Sequence, residues 1–123
     1  MRQSRLSVWR LAVVSAGIMV ALIVSAVPAS AHVIRAWVVT PGGTSRGFAE
    51  VYDNHLSLAG CDTRADGVGV YARAQLRNGQ IIDVPDSNGS ASGCGRATVP
   101  STNPIVRIKA IYRGGAESGW VTA

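Results

Sequence analysis

The 123-residue chain holds only two cysteines, two histidines, one lysine and one phenylalanine, and charged side chains make up just 15% of it. Each scarcity removes a class of chemistry. There is no Cys-x-x-Cys, and neither cysteine has a histidine near it other than His55, so a zinc or iron–sulfur site lacks a ligand set. There is no Gly-x-Ser-x-Gly, and only His32 and His55 are present to act as a base, so a serine-hydrolase triad has little to draw on. The carboxylates Asp53, Asp62, Asp66, Asp83 and Asp86 stand mostly in turn-forming segments, where aspartate is favoured for local hydrogen bonding rather than as half of an acid–base pair. No catalytic residue is assigned, and a small hydrolase stays only as a third reading.

Long apolar runs are scarce too. The single one, Leu11–Val27 (LAVVSAGIMVALIVSAV), follows Arg2, Arg5 and Arg10 and ends at Pro28. Ala29-Ser30-Ala31 then gives the small-x-small pattern read by signal peptidase. Residues 1–31 therefore read as a Sec-type signal peptide cut between Ala31 and His32. The product is a single secreted domain, residues 32–123. The competing reading is an uncleaved membrane anchor, for which the run is at the short limit. On the first reading the chain meets a membrane only through the leader before cleavage. The leader carries no adjacent arginine pair and no cysteine at the cut, so neither a twin-arginine signal nor a lipoprotein is indicated.

Removing the leader also removes three of the charges behind the formal +5. Residues 32–123 keep nine basic and seven acidic side chains, about +2 net, so the basic chain gives no footprint for nucleic acid. A domain of this size has a marginal core and gains from a staple. Cys61 and Cys94 allow one intramolecular pairing, and export places them in an oxidising compartment. The closed loop is worth about 3–4 kcal/mol in the chain-entropy model. Spanning the middle of the chain, the disulfide is placed to tie two sheets together.

No helical period survives after the leader. Short alternating runs recur between Gly, Pro, Asn and Asp: Val33–Thr40, Gly47–Tyr52, His55–Cys61, Val68–Leu76, Ile81–Val84, Arg96–Val99, Ile105–Tyr112 and Gly119–Thr122. Seven or eight strands in about 90 residues predict an all-β fold, a small two-sheet antiparallel sandwich of immunoglobulin-like type, with a small β-barrel as the alternative. Val68, Val70, Ala72, Ala74 and Leu76 share one face of their strand, and Val106, Ile108, Ala110 and Tyr112 one face of theirs. Asp66-Gly67 reads as a hairpin signal, and Trp37 and Trp120 as core or sheet-end aromatics.

Three surface or site readings follow. Asp62-Thr-Arg-Ala-Asp66-Gly67 has the outline of a calcium loop, but Arg64 and Arg73 fall where ligands belong, which favours a turn. His32, once N-terminal, offers an amine and an imidazole for Cu(II), with His55 as the second imidazole; no cofactor is expected, with copper as the alternative. Tyr71, Arg73, Arg77, Arg107 and Lys109 gather by alternation into a basic–aromatic face for a polyanion or cell-wall polymer, or else a solvated sheet face that discourages edge pairing.

The stretch GFAEVYDNHLSLAGCDTRADGVGVYARAQL, with the later Gly93-Cys94, resembles a group of small secreted proteins from filamentous actinobacteria. Their recurring pattern is a strand ending in an aromatic, a short turn, a strand running into Cys-Asp-Thr and Asp-Gly, and a later Gly-Cys. These are turn and disulfide residues, so the resemblance implies a secreted β-sandwich with a single disulfide and carries over no functional residues. Antibiotic-carrying apoproteins and amylase inhibitors of similar size normally have two disulfides, which sets this chain apart from them. The leading functional reading is a non-enzymatic extracellular module that binds another protein or an extracellular polymer. The second is a copper protein using His32 and His55.

Overall fold

The computed structural model describes residues 32–123; the leader expected over residues 1–31, with its predicted cut after Ala31, lies outside them. Among the described residues eight strands form: β1 (Ile34–Thr40), β2 (Thr44–Tyr52), β3 (Ser57–Asp62), β4 (Val70–Leu76), β5 (Ile81–Pro85), β6 (Gly95–Thr98), β7 (Ile105–Tyr112) and β8 (Val121–Thr122). They make two antiparallel sheets in the orders β1-β2-β3-β6 and β5-β4-β7-β8. The result is the all-β sandwich that the alternation predicts, and the sheets do not close into a barrel. Its strand order keeps β1, β2 and β3 as consecutive neighbours, unlike the A-B-E-D sheet of immunoglobulin domains.

Period-2 alternation decides which side chains meet between the sheets. Ala36, Val38, Ala49, Val51 and Leu58 from one sheet face Val70, Ala72, Ala74, Leu76, Val84, Ile105, Ile108 and Ala110 from the other. Five of these are alanines, so the interior is thin and the sheets come close. They come closest where β3 and β6 lie over β4 and β5. A Cβ on Gly60 would overlap the Val84 carbonyl, and one on Gly95 the Pro85 carbonyl, so only glycine fits either place.

The β2–β3 and β4–β5 connections are the hairpins the turn residues predict. In the second, Gly79 takes φ 89°, and Asn78 accepts the Gln80 N–H at 2.9 Å. The first is less relaxed. Asp53, Asn54 and His55 have φ of 53°, 51° and 68°, three non-glycine residues in a row in the left-handed region.

Three expectations fail. Asp66-Gly67 does not close a hairpin, because β3 and β4 belong to different sheets and the segment crosses between them. A positive-φ glycine turns the chain without dictating whether the next strand pairs with the last. The β7 alternation slips at a bulge: register shifts between Gln75 and Leu76, so Ile105 takes the buried place assigned to Val106, which is exposed. The Cys61–Cys94 disulfide does form, with Cα atoms 4.6 Å apart, but it does not join the two sheets. β3 pairs with β6 through Gly60↔Gly95, so the next positions out are the two cysteines, and the bridge staples neighbouring strands of one sheet.

Candidate functional site

Sheet pairing sets the outward residues of β5-β4-β7-β8 in transverse rows. Asp83 pairs with Arg73 and Arg73 with Lys109; continuing the β7–β8 register from Arg107↔Thr122 brings Trp120 level with Lys109. The central row therefore reads Asp83, Arg73, Lys109, Trp120. One row along stand Ile81, Gln75, Arg107 and Thr122; on the other side come Pro85, Tyr71 and Ile111. Tyr71, Arg73, Arg107 and Lys109 thus meet on one face as the sequence predicts. Arg77 does not join a row: it is exposed in the β4–β5 turn, where its N–H bonds the Pro104 carbonyl at 2.9 Å.

Cations and rings interleave across this face. The Arg107 guanidinium lies 4.3 Å from the Trp120 ring centre and the Lys109 ammonium 5.0 Å from it. Arg113 stacks 4.9 Å from Tyr71, with Arg73 5.7 Å away from the same ring. Acids hold two of the cations. Asp83 takes Arg73 in a two-point bridge at 2.8 and 2.9 Å, which holds the guanidinium even more firmly protonated than usual. Glu117 takes Lys109 at 2.9 Å. Arg107 donates to Gln75, a neutral partner, and four cations stand against two carboxylates.

Arg73 and Lys109 are directly opposed on paired strands, an arrangement that costs stability where nothing lies between the charges. Beside them, at the end of the face, a groove of about 370 Å³ is lined by Tyr71, Ile111, Tyr112, Arg113 and Gly115 to Glu117. Arg113, Glu117 and Trp120 are members of the site that alternation alone does not find. Arg113 and Glu117 come from the turn after β7, and the signal for Trp120 is the β7–β8 register rather than any local motif. Trp120 and Trp37 are also not core residues: they stand 36% and 46% exposed.

The segment between β3 and β4 spends its acids locally. Asp62 accepts the Arg64 N–H and Asp66 the Val68 N–H, both as Asx turns, and Asp86 accepts the Asp62 N–H at 2.9 Å. Asp66 also receives the Arg46 guanidinium at 2.9 Å and the Tyr112 hydroxyl at 3.1 Å, which links β2 to β7. The Val68 N–H, Tyr112 and Arg46 lower the Asp66 pKa, while desolvation and the Asp66 charge raise that of Tyr112.

His32 is exposed and precedes β1 by two residues; His55 is half-buried in the β2–β3 turn. Since Ile34 pairs with Val51, both lie at the same end of the sheet. Among the described residues no group of three or more His, Cys, Asp or Glu side chains gathers to hold a metal ion. The chain matches no protein-family model, no curated protein and no solved structure.

Proposed function

We propose that the domain is an exported, non-enzymatic binding module, and that the outer face of β5-β4-β7-β8 grips an acidic extracellular polymer. The observation that carries this reading is the opposition of Arg73 and Lys109 across a strand pair, flanked by Arg107 and Trp120. Asp83 and Glu117 answer that pair one cation each, while Arg107 and Arg113 have no carboxylate partner among the described residues and leave net positive charge on the face for an anion. Trp120 and Tyr71 add flat apolar surface beside the charges, suited to a sugar ring whose carboxylate or phosphate meets the arginines. Export through the leader, and the resemblance to small secreted actinobacterial proteins, put such a polymer within reach.

The test is titration of the secreted protein with polygalacturonate and, separately, with neutral amylose. Saturable binding to the acidic polymer that weakens with added salt is expected, with at least tenfold loss in Arg107→Gln/Lys109→Gln. Equal affinity for both polymers, or an unchanged double variant, overturns the proposal. An acidic protein partner is the alternative that selective capture of a protein, with no polysaccharide binding, would establish.

A further inference from the structure

The four sheet edges are guarded unequally. β8 is two residues long, β5 ends at Pro85, and β6 is four residues stapled through Cys94 and seated against β5 at Gly95. β1 is seven residues long and, among the described residues, pairs with β2 alone. It has no proline or lysine inside it. The bulge beside it inserts Arg46 into β2 and leaves β1 regular, because Val38↔Gly47 is followed by Val39↔Ser45. Its outward row runs Val33, Arg35, Trp37, Val39, and the three apolar members are 53%, 46% and 47% exposed.

We infer that β1 is a self-association edge, joining two copies of this chain by antiparallel pairing about a two-fold axis through Ala36. The ground is that the outward row is complementary to itself when reversed. In this register Val33 meets the partner's Val39 and Arg35 meets the partner's Trp37, each contact occurring twice. On the inner side Ile34 meets the partner's Val38, and Ala36 meets the partner's Ala36. Directly opposed side chains sit about 4.5–5.5 Å apart at Cβ, close enough for a cation to lie over a ring. Neighbouring registers lose this match. An axis through Arg35 sets the two arginines against each other, and an axis through Trp37 leaves Arg35 opposite the partner's Val39. Glu50 of β2, bonded to Arg35 within the chain, lowers the net charge of the row, and the same guanidinium stands 4.9 Å from the Phe48 ring. Pairing of two β1 edges makes one continuous eight-stranded sheet and leaves each polymer-binding face free.

The full chain, expressed with its leader and recovered from the medium, is followed by sedimentation velocity at sub-millimolar concentration, with circular dichroism as the check on folding. A dimer is expected for the parent protein. Trp37→Arg opposes arginine to arginine twice and is expected to weaken it at least tenfold. The exchange Arg35→Trp/Trp37→Arg rebuilds the same pairs in reversed order and is expected to restore the dimer to within about threefold. Should Trp37→Arg fail to fold, Val39→Lys on the same row takes its place with the same expected loss. A monomeric parent, a single variant that dimerises like the parent, or an exchange variant as weak as the single one each overturns the inference.

Discussion

The two outward faces of this sandwich are built from the same strand alternation and are put to opposite uses. On β1-β2-β3-β6 the centre is small and sealed. Ser57, Ala59 and Cys61 point away from the core yet are buried, because Arg96 reaches across β3 to the Tyr52 hydroxyl at 3.0 Å and the disulfide covers the far end. On β5-β4-β7-β8 the centre is two opposed cations with rings beside them. An arginine on the first face finishes a roof inside the molecule; on the second, Arg107 and Arg113 lack a carboxylate partner among the described residues and keep charge to give to something outside. Composition does not distinguish the two roles. What distinguishes them is whether a small residue lies beneath the guanidinium or another cation lies across from it.

Breaking the sealed face has the largest expected effect. Cys61→Ala/Cys94→Ala is expected to cost about 3–4 kcal/mol, a fall in Tm of roughly 12–30 °C by calorimetry, while polymer affinity of the folded fraction is unchanged. The open face gives the converse result. Lys109→Gln removes one member of the opposed pair together with its bridge to Glu117, in which the lysine side chain is only 13% exposed; the two terms have opposite sign, so stability is expected to stay within about 1 kcal/mol. Affinity for polygalacturonate is expected to fall roughly five- to tenfold, or about 1 kcal/mol, in the same titration. A large Tm change in this variant would show that the opposed cations are structural.

Arg96→Ala sharpens the contrast with a single arginine on the sealed side. Loss of its ring contact and hydrogen bond to Tyr52 is expected to lower stability by about 0.5–1 kcal/mol in urea unfolding and to leave binding unchanged. The smallest effect concerns the link between the sheets. The Asp66 carboxyl is held below its ordinary 3.8, so its contribution is present above that value and is lost as pH falls through the lower folded one. The Tyr112 phenol is raised above its ordinary 10.0, so its contribution is present below 10.0 and fades as pH rises through the higher folded value. The Tm difference between the parent and Asp66→Asn is accordingly expected to be flat near neutrality and to shrink in acid below pH 3.8.

Much of the fold is legible because burial on one side enforces a period of two. Val70, Ala72, Ala74 and Leu76 could be assigned inward, and Tyr71 and Arg73 outward, from their spacing alone. What spacing does not carry is partnership. The Asp66-Gly67 bend looks the same whether the next strand returns to its neighbour or crosses to the opposite sheet. The Ile105–Val106 slip depends on a bulge created against β4 rather than on either residue. The cysteines show that a bridge can form, yet which strands it joins follows from the Gly60↔Gly95 register. In the site, the cations of β4 and β7 were legible as a face, whereas Arg113 and Glu117 reach it from a turn.

The contact at Gly60 and Gly95 also sets how the sandwich moves. Two backbones that touch without side chains between them hold the sheets together at that side, so opening is expected to begin at the far side, along β1 and β8. At dilution, where the chain is monomeric, amide exchange is expected to be slowest in β3 and β4 and to quicken toward β1, the strand that edge pairing with a second copy would protect.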